Sequence, residues 1–441
     1  MKREYSLYYE NDNNEYIVYS SETNSITTMR YVHWSKLERT YHMLPPFEAS
    51  EKGLFEYAEK FKEWATELKD HKIYLNRNQN FRINASFYYT LHHLARGFYK
   101  RVTKGKFEHH EPKTAIENSY IEDCYNGGLL YCDDDDGEYI ESYAYDYTFD
   151  YPKCMASDKL FIPNKAGKEY KLNKIPDVND LKTGFYRVKI TCKNNDFCKL
   201  FSFSKKHTYT DRSIIQALKY KDKFDVKIEL NQDLKYNCYL YDDKDLESGS
   251  VLFKKWFTIL SELKEKFPKN GIVKFMGSSL YGQIETKHEI YKTEEEIVKE
   301  QLDVGVKAPH RFIIQGYKIY GIELEKNYKK LYCLTDTEKP REFNIRLKSF
   351  LTSYCRNKTA RICTGHVRFG KNAEKNVVHD LNDVIRIHTD CVVFRKQMKD
   401  LESEDIPDLK KEEKSSGLIR WVNTSKYHNK TTGKYHGRGW D

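Results

Sequence analysis

The chain has 441 residues, enough for two or three structural units, and it is 39% hydrophobic and 15% aromatic, with 36 Tyr and 23 Phe. A formal net charge of +9 permits a polyanionic partner without requiring one. Ten Cys occur with no Cys-x-x-Cys pair, no apolar run approaches the roughly 20 residues of a membrane span, and no signal peptide is written. Neither a zinc ribbon nor a membrane-spanning helix is therefore expected, and the expected setting is intracellular, not secreted, with reduced thiols.

Residues 1–50 mix Tyr, Asn, Glu and Ser without a clear period. From Glu51 to His71, Leu54, Tyr57, Ala58, Phe61, Ala65 and Leu68 recur at helical spacing. A second helix is expected from Ala85 to about Thr103, ending in the basic run Lys100–Lys106, which suits either a helix C-terminus or a phosphate contact. At Tyr125-Asn126-Gly127-Gly128 the pattern turns to strand. Leu129–Cys132, the acidic tip Asp133–Asp136 and Tyr139–Tyr151 read as a hairpin, with Pro152 stopping the pairing.

Short strands are then expected at Gly184–Cys192, Leu200–Phe203, Val226–Leu230 and Asn237–Tyr241, with a helix at Asp211–Tyr220. A strong helix follows over Val251–Phe267, broken by Pro268-Lys269-Asn270-Gly271. Another runs from about Ile272 to Tyr281 and ends at Gly282. Strands return over Arg311–Thr335, and a basic amphipathic helix spans about Asn344–Cys363. Val384–Phe394 reads as a hairpin with His388-Thr389-Asp390-Cys391 at its tip. Lys396–Lys414 is charged, and the remainder carries no core-building pattern.

Three segments carry chemistry. Asp146 and Asp390 each lie where a strand meets a turn. Two carboxylates so placed, if adjacent in space, form the minimum oxygen cage for a pair of Mg²⁺ ions. Lys274, Ser278 and Tyr281 are spaced i, i+4 and i+7, so they share one helix face, suited to holding a triphosphate. Each segment alone also fits a bland reading: a solvated turn for Asp390, and for the helix a core Tyr with a Lys reaching solvent.

In order, Asp146-x4-Tyr151-Pro152, Lys274-x3-Ser278-Ser279-Leu280-Tyr281-Gly282 and Thr389-Asp390 resemble motifs A, B and C of family B DNA polymerases. The protein-primed viral and organellar-plasmid branch is the one they look most like. Tyr125-Asn126-Gly127-Gly128 is similar to that branch's Tyr-x-Gly-Gly element, and Lys426-Tyr427 to its Lys-x-Tyr-type element. The resemblance covers roughly residues 51–430.

It implies an α+β, right-hand polymerase with an antiparallel palm sheet, helical fingers and an N-terminal exonuclease remnant. The implied division is 1–110 for the helical exonuclease-domain remnant, 111–245 for the first part of the palm with motif A and an insertion, and 246–300 for the fingers with motif B. The second part of the palm with motif C takes 301–420, and a tail or rudimentary thumb 421–441. The implied function is template-directed DNA synthesis by two-metal nucleotidyl transfer, protein-primed, in replication of a viral or plasmid-like genome. Its cofactors would be two Mg²⁺ ions, or Mn²⁺ in their place. Its partners would be a DNA primer-template, dNTPs and a terminal priming protein, with no membrane, in the host cytoplasm, a virus factory or the virion.

Residue by residue, the resemblance makes Asp146 and Asp390 the catalytic metal ligands and Tyr151 the steric gate against a ribose 2′-OH. Lys274 would hold the triphosphate, with Ser278 and Tyr281 shaping the nucleotide pocket. Tyr125, Gly127, Gly128, His388, Lys426 and Tyr427 would face DNA. The departures are His388 where the family has Asp, Phe149-Asp150 where Ser-Leu is usual, and Ser278 where Asn is usual. Phe61 takes the place of the Asp that should follow Tyr57 in the third exonuclease element, so proofreading is expected to be absent. The competing reading is a catalytically degenerate palm acting as a nucleic-acid-binding or replication scaffold. A two-metal nuclease would use the paired carboxylates but leaves the Lys274–Gly282 helix unexplained.

Overall fold

A computed structural model describes residues 6–10, 16–29, 41–43, 50–85, 91–104, 110–111, 113–124, 126–133, 137–284, 288–293, 313–314, 317–326, 329–336, 345–406 and 408–436. The helices that position the site are α1 (Glu51–Asp70), α2 (Leu91–Thr103), α3 (Ala115–Cys124), α4 (Asp150–Met155), α5 (Asp211–Lys219), α6 (Gly249–Lys266), α7 (Gly271–Ile284) and α8 (Lys348–Thr364). Helix α1 starts at Ser50, whose Oγ accepts the Gly53 N–H at 2.9 Å. Leu54, Phe61, Phe98, Trp256, Leu260 and Met276 bring α1, α2, α6 and α7 into one core.

Asn270 starts α7: its Oδ1 accepts the Val273 N–H at 3.1 Å, and its amide donates to Trp64 O at 3.1 Å and to Glu67 at 2.7 Å. A Cβ on Gly271 would stand 2.5 Å from the Trp64 ring, so the closeness of α7 to α1 requires glycine there. The expected stop at Gly282 does not occur. The helix continues to Ile284, since a glycine within a helix costs only about 1 kcal/mol.

The central sheet is built from β1 (Leu129–Cys132), β2 (Ile140–Tyr147), β3 (Val384–Thr389), β4 (Cys391–Phe394), β5 (Leu409–Lys411), β6 (Gly417–Trp421), β7 (Tyr427–Asn429) and β8 (Lys434–His436). Its order is β8-β7-β6-β2-β4-β3-β1, with β5 also on β2, and every pairing is antiparallel. The expected hairpin of β1 with β2 therefore does not form. The β3–β4 hairpin, which does form, inserts between them. Strand β2 is apolar on both faces, with Tyr145 and Tyr147 in one core and Ala144 in another, so it takes a central place with partners along both edges. It ends at Tyr147 rather than running to Tyr151. Pro152 lies in the first turn of α4, where its missing N–H is harmless.

On one face, Tyr145, Tyr147, Ile387, Val392 and Phe394 pack with α8 and with a five-stranded sheet from residues 168–240. On the other, Ala144, Ile385, Cys391 and Val393 meet Ile419, Trp421 and Tyr427, so the segment without a core-building pattern closes a core. Helix α8 is buried nearly all round instead of amphipathic. Its hydroxyls make this tolerable by bonding within the helix: Ser353 donates to Ser349 O at 2.8 Å and Thr364 to Ala360 O at 3.2 Å. Leu200–Phe203 forms no strand and follows a 3₁₀ turn, with Phe197 and Phe201 stacked at 5.1 Å. Residues 6–43 contribute a four-stranded sheet that sets Leu7, Ile17 and Tyr19 into the core with α1. Among the described residues, no helix is long and apolar enough to cross a membrane.

Candidate active site

The register of β2 on β4 sets Asp146 directly opposite Cys391, the neighbour of Asp390. Asp390 is the one-residue turn between β3 and β4. The preceding Thr389 adopts φ +60°, a left-handed conformation costly for a β-branched residue, and Phe149, just after β2, adopts φ +59°. Both outliers flank the acids. The Thr389 turn is held from two sides: Thr359 Oγ1 donates to Thr389 O at 2.7 Å, and Thr389 Oγ1 donates to Asp390 Oδ1 at 2.9 Å.

The two carboxylates stand in each other's field. Burial first, then the Asp390 and Glu412 carboxylates, push Asp146 up to about 7 against the pull of Lys414. Burial first, then Asp150, push Asp390 up to about 6, opposed by the Thr389 hydroxyl and Lys358. Asp146 Oδ1 is buried and accepts no hydrogen bond. A buried carboxylate oxygen without a hydrogen-bond donor, in the field of a second buried acid, fits a hard divalent cation such as Mg²⁺ or Mn²⁺.

Sequence reasoning missed three groups here. Asp150, in the first turn of α4, is buried and ion-paired with Lys358 of α8, whose ammonium lies 3.7 Å from the Tyr147 ring centroid. Asp150, Cys154 and Cys355 also hold ligand atoms within 4.8 Å of one another. There the chain supplies its own cation in Lys358. Glu412 faces Asp146 and pairs with Lys414 at 2.8 Å. Arg356 donates to the carbonyls of Asn126 at 2.9 Å and Gly127 at 2.7 Å. The Phe149-Asp150 departure was the signal for the first; Glu412 and Arg356 had none.

Tyr151 and Tyr281 meet with ring centroids 4.8 Å apart and planes at 35°. Gly277 of α7 permits this approach, because a Cβ there would stand 2.8 Å from the Phe149 ring and 3.2 Å from Pro152. Lys274 and Ser278 are exposed on the same helix, and Ser278 Oγ donates back to Lys274 O at 3.3 Å. The structure thus brings Asp146, Asp390, Tyr151 and Tyr281 together.

The residues expected to face DNA divide. Tyr125 lies outside the described residues. Gly127 is open to its surroundings, whereas a Cβ on Gly128 would stand 2.4 Å from Thr389 Cγ2 and 2.9 Å from Thr389 Cα. The close approach that Gly128 makes is therefore to the Asp390 turn. His388, half-buried in β3, has its ring 3.5 Å from Ser425 Oγ, and burial and Arg386 hold its pKa below the usual value. Lys426, which follows Ser425, is partly exposed. Tyr427 is buried, with its hydroxyl 3.0 Å from Ser415 Oγ and its ring 4.6 Å from Trp421, so it supports the sheet from within.

No family model and no curated protein matches the chain. Solved structures do. Phi29 DNA polymerase complexed with primer-template DNA and incoming nucleotide is similar over 80% of this chain and 61% of its own, at TM-score 0.51 and 14% identity. The same polymerase complexed with single-stranded DNA is similar over 96% of this chain and 86% of its own, at TM-score 0.53 and 10% identity. The chain has a polymerase-like fold. Against the ternary complex, this polymerase-like chain spans about three fifths of its neighbour's length. Identities this low establish the fold alone. What the site does has to come from its residues.

Proposed function

We propose that the chain is a template-directed DNA polymerase that adds deoxynucleotides by two-metal transfer, protein-primed, in replication of a viral or plasmid-like genome. The observation that carries this is the meeting of Asp146 with the Asp390 turn in the central sheet, together with that of Tyr151 in α4 with Tyr281 in α7. The central sheet would be the palm, and α6 and α7 the fingers. Mg²⁺ ions held by Asp146 and Asp390 would activate the attacking hydroxyl and offset charge on the transferred phosphate. Lys274, exposed on α7, is free to swing onto a triphosphate. The Tyr151 ring, braced on Tyr281, closes the space a ribose 2′-OH would need. The Thr359 and Thr389 bonds hold Asp390 in place before substrate arrives. A 3′–5′ exonuclease is not part of this reading: Tyr57 and Phe61 pack with ring centroids 6.4 Å apart inside the α1 core.

The second reading, a non-catalytic scaffold, draws on His388 standing where the family has an acid. The test is extension of a primed template by the wild type with dNTPs and Mg²⁺. Extension supports the polymerase. Retained DNA binding with no extension in Mg²⁺ or Mn²⁺ favours the scaffold instead.

The two glycines give a sharper check. Gly128→Ala forces a methyl into the Asp390 turn, and a displacement approaching 1 Å costs on the order of 10²-fold in rate. Gly127→Ala meets nothing within 4 Å. At saturating primer-template, kcat should therefore fall steeply in the first variant and stay within about twofold in the second, whatever the second does to DNA affinity, with unchanged circular dichroism in both. Equal effects would detach the Asp390 turn from the rate.

A further inference from the structure

Three side chains within one turn of α8 reach three separate parts of the site. Arg356 holds the Asn126 and Gly127 carbonyls, Lys358 holds Asp150 at the start of α4, and Thr359 holds the Thr389 carbonyl beside Asp390. Arg356 and Thr359 bond backbone carbonyls. Lys358 is different, because its partner is a carboxylate in the first turn of α4, next to Tyr151, and that carboxylate is wholly buried while the lysine is largely so.

The surroundings of that pair are tight. The Asp150 side chain has no exposure, and the ammonium is capped on another side by the Tyr147 ring at 3.7 Å. Cys154 Sγ donates to Asp150 Oδ1 at 3.5 Å. Asp150 is also the residue after Phe149, which is held at φ +59°. A left-handed residue at this point needs its neighbour anchored, and the anchor is the ion pair.

Resting on the polymerase reading, we propose that Lys358 is a positioning residue for nucleotide selection. Through Asp150 it fixes the turn over 148–151, and so the Tyr151 ring against Tyr281, without touching the nucleotide itself. Removing Lys358 alone strands a buried carboxylate and puts folding at risk. Removing both charges at near-constant volume does not.

The test uses the full chain as wild type, Lys358→Arg, Lys358→Met and the pair Lys358→Met with Asp150→Asn. Two readouts are taken: the ratio of kcat/KM for dATP to that for ATP in primer extension, and amide hydrogen exchange over 146–155. Lys358→Arg should keep the ratio within about threefold and exchange unchanged. The double variant should fold, lose about tenfold or more of the ratio, and exchange faster over 148–155 while α5 and α6 stay protected. A double variant with wild-type ratio and wild-type exchange overturns the proposal, since the pair would then only fill space. If the wild type extends no primer, the polymerase reading falls. Exchange over 148–155 still decides whether Lys358 holds the turn, and unchanged protection would overturn that as well.

Discussion

Asp390→Asn should lower primer extension by at least about 10³-fold, roughly 4 kcal/mol of transition-state stabilisation, while making the metal-free protein more stable at pH 8. The two effects have one cause. Asp146 and Asp390 are pushed up to about 7 and about 6, by burial first and then by neighbouring carboxylates. A carboxyl whose folded pKa lies above its unfolded value holds a proton in the folded state that the unfolded state has already lost. Stability contributed by these two groups is therefore present at acid pH and lost as pH rises from about 4 to about 7, the two titrating as a pair. At pH 8 both are charged and repel.

An amide at 390 removes that repulsion, and the melting temperature without metal should rise by a few degrees. Mg²⁺ or Mn²⁺ should stabilise the wild type and much less the variant, because cation binding needs the deprotonated acids. For the same reason, wild-type extension should climb with pH through 6 and level off above about 7. Asp390→Asn with full activity, or with a lowered metal-free melting temperature, would break the link between this pair and the chemistry.

Arg346→Met should destabilise the fold by about 3–5 kcal/mol, measured as a shift in the denaturation midpoint. Arg346 and Glu117 of α3 are both wholly buried. Arg346 Nη2 donates to Glu117 Oε2 at 2.9 Å, and Arg346 Nη1 donates to the Glu111 carbonyl at 2.9 Å. The Tyr241 hydroxyl donates to Glu117 Oε1 at 2.6 Å. The group ties the segment before α8 to α3 and to the strand at Cys238–Leu240. Losing Arg346 leaves a carboxylate without its countercharge in an apolar core. The double variant Arg346→Met with Glu117→Leu should recover most of the loss, short of about 1 kcal/mol for the orphaned Tyr241 hydroxyl. A single variant within 1 kcal/mol of wild type would mean that water reaches this cluster.

The parts of the site that were legible in the sequence are those written in local spacing. Val384–Phe394 announced a hairpin because β-branched runs flank a polar tip, and α7 announced its exposed face through Lys274 and Ser278. What the spacing does not encode is partnership. Leu129–Cys132 and Ile140–Tyr147 sit near each other in the chain and look like a hairpin, yet each prefers the β3–β4 hairpin, whose apolar faces complete both cores. Helix α8 was legible as a helix, but its burial was hidden for the opposite reason. Its Ser, Thr, Arg and Lys suggest solvent, and only the burial of their bonds and ion pairs shows that it stands behind the site. Strands β5 to β8 are three to five residues long, too short for an alternating pattern to declare itself.

The interleaved sheet order also dictates when the molecule can become whole. Strands β1 and β2 bracket a gap that residues 384–394 fill, so the sheet cannot close between them before the chain beyond α8 joins it. Without that hairpin β1 and β2 would each lack a partner along the edge it covers, and such edges invite pairing with other chains. Closure of the gap brings Asp390 to Asp146 in the same event. The chain cannot assemble its two central acids ahead of its fold: the step that completes the sheet is the step that creates the site.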